Sequence, residues 1–314
     1  MANKFAHDLL LSERAVLHSV ASRDIEKAKS FSLKFNSINY YDSYDELANN
    51  PEIDIVYIAT PHSFHFENTM MCLKKGKSVL CEKPLGVNSK EVEIMQKEAK
   101  SRNLFLMEGI WTRFIPATEK LIELLNEKVI GNVLFIRADF GFKADFNTDG
   151  RIFNKKLAGG SLLDIGIYPI YLSLLILGFP TEIKAMARMT ESDVDSYCSM
   201  LFNYKNSAKA ILESTFEANS PIEAYIYGEK GHIKLHSRFH HTEKLSIYLN
   251  GELNKTFIIK YKGEGYLHEI EEVNDCLLTN KTESIKLQHT TSLELIKIID
   301  QVKTKIGLSY TNSN

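Results

Sequence analysis

Over the first third of the chain, short continuous apolar runs alternate with longer stretches whose apolar positions recur at three- and four-residue spacing. The first pattern suits buried strands and the second suits amphipathic helices. Residues 15–21, 40–41, 53–59, 78–81 and 105–107 read as strands. Residues 1–11, the stretch after Asp24 with Ala28, Phe31 and Phe35 on its apolar side, a short segment after Asp42-Ser43, and residues 63–75 and 89–102 read as helices. Asp24 supplies a cap at one end of this series and Gly76 a stop further on. Strand and helix in strict alternation predict a parallel sheet with helices on both faces. From about residue 113 the rhythm changes. A helix over 116–127, a long strand over 133–140 and a long apolar helix over 162–177 lead into strands at 181–189, 197–204, 208–217, 222–228 and 244–249 with no helices between them. Helices over 266–278 and 292–306 close the chain. The expected architecture is α/β followed by α+β. Residues 1–112 form a Rossmann-like parallel-sheet domain, and residues 113–314 a mostly antiparallel open sheet with helices on one face.

A dinucleotide-binding sheet ordinarily opens with a strand and a G-x-G-x-x-G/A turn that enters the first helix. This chain opens on that helix, with Ala2 where the small third residue of the fingerprint would stand. The missing strand is central in the usual order 3-2-1-4-5-6. The pattern therefore predicts that such a segment lies upstream of Met1, and that the chain as written holds a dinucleotide less tightly.

Composition narrows the function classes. A net charge of −2 gives no electrostatic case for nucleic acid or an acidic membrane surface. No apolar run approaches the ~20 residues of a membrane span, and the amino terminus has no apolar signal-peptide segment. Cys72, Cys81, Cys198 and Cys276 are scattered, which suits reduced thiols in the cytoplasm and no zinc site. His232, His236 and His240 would share one face of a strand, with His241 beside them. No carboxylate or cysteine completes a ligand set, so a solvated sheet face is expected and no metal.

The chemistry gathers at strand ends and at one helix start. In Ser78-Val79-Leu80-Cys81-Glu82-Lys83-Pro84 a buried strand delivers a charged pair to its carboxyl end, where parallel α/β sheets bind ligands. Pro84 stiffens the turn that follows Lys83. Asp164 and Tyr168 stand four apart and share a helix face, behind Gly159-Gly160, which permits close backbone approach. A tyrosine near a lysine suits proton exchange with a carbinol hydroxyl, because the ammonium stabilises the phenolate. Ser22-Arg23 follows the second strand of a Rossmann sheet; a hydroxyl plus guanidinium there suits a 2′-phosphate and favours NADP, while Asp24 leaves NAD open. Thr60-Pro61 ends a strand that borders the dinucleotide.

Together, Thr60-Pro61-x-x-x-His65, Glu82-Lys83-Pro84, Met107-Glu108-Gly109-Ile110-Trp111-Thr112-Arg113-Phe114, the run from Gly159 to Pro169, Gly265-Tyr266-x-His268-Glu269 and Thr282-Glu283-Ser284 resemble the glucose-fructose oxidoreductase / inositol dehydrogenase family. Within it they resemble the branch that holds the dimeric dihydrodiol dehydrogenases and the NADP-dependent D-xylose dehydrogenases. The resemblance implies Tyr168 as acid/base, Lys83 as its electrostatic partner and Asp164 as the carboxylate that orients substrate. It also implies His65, Glu82, Pro84, Trp111 and Arg113 as cofactor neighbours. The implied substrate is a secondary alcohol or cyclic hemiacetal, such as a trans-dihydrodiol or D-xylose, and the implied assembly is a homodimer through the open sheet face. The rival reading is a catalytically inactive relative that binds a ligand and regulates or interacts; the missing glycine turn favours it, and the joint presence of Lys83, Asp164 and Tyr168 favours the enzyme.

Overall fold

The computed structural model describes residues 1–310. The chain runs α1 (Ala2–Leu9), β1 (Ser19–Ala21), α2 (Ile25–Phe35), β2 (Asn39–Tyr41), α3 (Tyr44–Asn49), β3 (Ile55–Ile58), α4 (His65–Lys74), β4 (Ser78–Glu82), α5 (Ser89–Ser101) and β5 (Leu106–Gly109). It continues α6 (Pro116–Asn126), β6 (Val133–Gly141), α7 (Ile167–Leu177), β7 (Glu182–Met189), β8 (Asp195–Asn203), β9 (Lys209–Thr215), β10 (Ala224–Gly228), β11 (Gly231–Leu235), β12 (Lys244–Leu249), β13 (Glu252–Ile258), α8 (Leu267–Leu278) and α9 (His289–Ile306).

Two compact units result. The first comprises Met1–Gly86, Lys90–Phe114 and Lys262–Ser292. The second comprises Val87–Ser89, Ile115–Tyr261 and Leu293–Asn314. A single division at 112/113 therefore needs correction: the chain returns to the first unit after Tyr261, because the start of α8 packs there. Asp8 at the end of α1 accepts the backbone N–H of Glu264 and Tyr266 at 2.8 Å and of Leu267 at 3.1 Å. A carboxylate on the N–H groups that begin a helix satisfies donors that have no partner inside it.

In the first unit the strands are parallel, but they form two sheets, β1-β2 and β3-β4-β5. No described strand lies between β1 and β3, where the doubly wound order calls for one. Phe5 of α1 stacks on Tyr57 of β3 at 3.5 Å between ring centroids.

In the second unit eight strands run in the order β13-β12-β11-β10-β6-β9-β8-β7. Every pairing is antiparallel except β6 with β9. Strands β11 and β13 fall in a stretch where the sequence pattern gave only one strand; β13 is mostly polar and exposed, so alternation was weak. The inner face carries Ile136, Ala138, Leu212, Ile226 and Ile233, all buried, and α7 packs over β6 and β9. The stretch Lys155–Leu177 is long and apolar enough to cross a membrane by composition, which corrects the absence of any such run expected above. Yet Ile167 to Leu174 are buried inside this unit, as in the core helix of a globular domain.

Candidate active site

At the carboxyl end of the three-stranded sheet the register sets Cys81 beside Glu108 and Glu82 beside Gly109. Glu82, Lys83 and Pro84 are all buried, and the Lys83–Pro84 bond is cis. The Tyr57 hydroxyl donates to Glu82. Glu108 accepts the Leu85 N–H at 2.8 Å and so holds the residue that follows the proline. His65, fully buried, bridges two loops: Nδ1 lies 2.7 Å from Pro84 O and Nε2 2.8 Å from Thr60 O. The Asn68 amide donates to Thr60 Oγ1 at 3.0 Å. The exit of β3 and the turn after β4 are thereby joined through one imidazole. His65, expected as a cofactor neighbour, thus ties together the two loops that border the expected coenzyme site.

Burial dominates the electrostatics here. It raises the Glu82 carboxyl, opposed by the Tyr57 hydroxyl and the Lys83 ammonium. It pushes Glu108 up to about 7, against the Ser292 hydroxyl, the Leu85 N–H and Lys83. Glu269 is held well above the carboxylate range by burial and then by Glu82 and Asp8, and neither of its oxygens has a hydrogen-bond partner. Low dielectric disfavours the charged form of each acid. Trp111 stacks on Tyr266 at 4.6 Å, and Arg113 Nε donates to Lys286 O at 3.0 Å. Both therefore brace the returning segment of the first unit. Ser22 and Arg23 leave β1 at its carboxyl end, with the exposed Arg23 guanidinium 5.2 Å from the Phe64 ring and Asp24 capping α2.

The second unit presents the other residues. Gly160 has φ +110°, and a Cβ there would collide with Asp195, while a Cβ on Gly159 would collide with the backbone of Ile152. Asp195, fully buried, accepts Ser161 Oγ–H at 2.6 Å and the Leu162 N–H at 2.7 Å. The next residues, Leu162–Gly166, wind as a π-helix before α7 begins. The α-helical spacing expected between Asp164 and Tyr168 is therefore modified by a wider first turn, a feature common at functional sites. Arg151 grips Asp164 through two parallel bonds of 3.0 Å. Tyr168, almost fully buried, lies 5.6 Å from Phe140 and 4.8 Å from His240, ring to ring.

The histidines also separate. β11 ends at Leu235, so His232 alone is on a strand, and His240 turns inward onto Tyr168 and Phe140. The shared solvated face expected for them is corrected accordingly. Arg151, Asp195, His240 and Glu108 were not picked out as site residues from sequence. Arg151 opens a single 3-10 turn, Arg151–Phe153, too short to show a period. Glu108 had a signal: like Glu82-Lys83, it is a charge at the end of a buried strand.

A parallel α/β unit with a lysine at its strand ends, and a second unit offering an Asp–Arg pair and a buried tyrosine, define a nucleotide-linked oxidoreductase architecture. Residues 1–110 match the oxidoreductase family with an NAD-binding Rossmann fold, and residues 118–234 match the GFO/IDH/MocA C-terminal domain. The trans-1,2-dihydrobenzene-1,2-diol dehydrogenase of Xenopus tropicalis is 36% identical, covering 98% of this chain and 97% of that protein. That of Homo sapiens is 35% identical over 95% of this chain and 91% of its own. Among solved structures, a 3-ketoreductase from Actinomadura kijaniata with NADP and TDP-benzene superposes with a TM-score of 0.86 at 24% identity, covering 95% of this chain and 92% of that one. The aldose-aldose oxidoreductase of Caulobacter crescentus does so with a TM-score of 0.86 at 25% identity, over 96% and 92%. The chain belongs to the Gfo/Idh/MocA family of oxidoreductases.

Proposed function

We propose that this protein is an NADP-linked dehydrogenase that transfers a hydride between coenzyme and the carbinol carbon of a trans-dihydrodiol or of a cyclic aldose such as D-xylose. The observation that carries the reading is that Lys83, Asp164 and Tyr168 each sit in a backbone context built to hold them. Lys83 stands on a turn fixed by Glu108 and His65, Asp164 is gripped by Arg151, and Tyr168 follows a glycine- and Asp195-braced turn. The Ser22 hydroxyl and Arg23 guanidinium suit a ribose phosphate. When bound, the nicotinamide supplies the hydride acceptor or donor. Tyr168 takes or returns the hydroxyl proton, Lys83 favours its phenolate, and Asp164 orients the substrate hydroxyls. Thr60, Pro61, Glu82 and Pro84 shape the floor on which the coenzyme lies, and Trp111 and Arg113 brace its edge.

Reduced-coenzyme absorbance should rise when NADP⁺ is offered with benzene trans-dihydrodiol or D-xylose, and Arg23→Ala should weaken NADP⁺ by about 1.5–3 kcal/mol while sparing NAD⁺. No turnover with either substrate, or equal losses for both coenzymes, would refute the respective parts. The outer sheet face supports a homodimer. Phe135, Tyr227, His232 and Tyr248 form a row across β6, β10, β11 and β12, flanked by Ile211 and Leu201, which are exposed. Aromatic patches of this kind mark interfaces; light scattering showing a stable monomer would contradict it. Four buried free cysteines suit a cytoplasmic location.

A further inference from the structure

Glu108 is the buried acid at the end of β5, and the mechanism above gives it no part beyond the turn it holds. Its Oε1 accepts the Leu85 N–H at 2.8 Å, and its Oε2 has no hydrogen-bond partner. Glu108 is buried, and the register sets it beside Cys81 of β4, one residue before the Glu82-Lys83 pair. The groups that face it are Glu82 and Cys81 from β4, Lys83 and the Leu85 N–H from the turn after it, and the Ser292 hydroxyl from α9. We propose that Glu108 is a positioning residue for Lys83: it fixes the turn that carries the lysine, and its proton determines how far the ammonium's charge is offset. Protonated, it leaves the field of Lys83 intact; ionised, it opposes that field. The charge state changes near neutrality, since burial moves this carboxyl from 4.5 to about 7. The inference rests on the proposed function for its effect on turnover, and on structure alone for its effect on stability.

A carboxyl raised in the folded state binds more protons there than when unfolded, so its contribution to stability declines as pH rises from 4.5 to about 7 and is constant above. Glu108→Gln keeps an acceptor for Leu85 and removes the titration. The melting temperature of the variant minus that of wild type should increase across that window and level off above it; a difference independent of pH would overturn the proposal. In the oxidation direction the rising limb of the pH–rate profile, set by deprotonation of the group that accepts the substrate proton, should move to lower pH in Glu108→Gln by on the order of 0.5–1 unit, because the ammonium is no longer offset. Superposable profiles would again overturn it. Glu108→Asp, which retains a titrating acid too short to hold Leu85, should lower kcat about 10-fold with coenzyme affinity kept, and unchanged kcat would remove the positioning part. Tyr168→Phe is assayed alongside. If neither substrate is turned over by wild type, the proposed function fails; if Tyr168→Phe stays active, only the proton assignment fails; in both cases the melting comparison still decides the role of Glu108.

Discussion

The strand ends of the first unit and the helix start of the second fix their charges by different means. Around Lys83, burial is the agent: Glu82, Glu108 and Glu269 are all pushed toward the neutral acid, and backbone bonds through His65 and Glu108 hold the turn. Around Asp164, a partner is the agent: a half-exposed Arg151 meets the carboxylate bidentately, and glycines with Asp195 set the turn. Desolvated charges are strong and intolerant of change, since removing one partner leaves the others uncompensated. A partner-held, partly wet pair is weaker and more forgiving. The first unit should therefore break sharply and the second by degrees.

The largest effect is expected at Lys83. Lys83→Met keeps much of the side-chain volume but removes the cation, and turnover should fall roughly 10²–10⁴-fold; a steady-state assay showing less than a 10-fold loss would place the site's charge elsewhere. Next comes His65→Leu, which strands the carbonyls of Thr60 and Pro84 inside the protein. Unfolding by urea should show a loss of about 2–4 kcal/mol, and wild-type stability would mean the imidazole bridge is dispensable. Smaller again is Arg151→Ala. Asp164, itself buried, then loses its fork of hydrogen bonds, but water can enter where the half-exposed guanidinium stood, so KM should rise about 10-fold with the melting temperature little changed. A loss as deep as that of Lys83→Met would erase the contrast between the two regions.

Much of this was legible in the sequence because it depends on local pattern. Period and turn residues gave the alternation in the first unit, the change of rhythm near residue 113 and the long apolar helix. The end-of-strand charges Glu82 and Lys83, and the pair Asp164 and Tyr168, stood out by spacing. What was not legible depends on pairings between distant segments. Arg151 reaches Asp164 from a short 3-10 turn 13 residues away, with no periodicity to mark it. Asp195 braces the glycine turn from 34 residues beyond Ser161. The burial of His240 against Tyr168 required knowing that β11 stops at Leu235. The π-helical turn at Leu162–Gly166 has no sequence period of its own, since its apolar residues read equally well as an ordinary helix.

Every step proposed for turnover depends on Tyr168 exchanging the substrate proton. Tyr168→Phe removes one hydroxyl from a ring packed between Phe140 and His240, so stability should change by about 1 kcal/mol or less. Steady-state turnover and coenzyme titration on this single variant give the most direct test. The account predicts a fall in kcat of roughly 10²–10⁴-fold with coenzyme affinity unaltered. Near-normal turnover would contradict it, and would move the proton to Asp164 as the next group in reach.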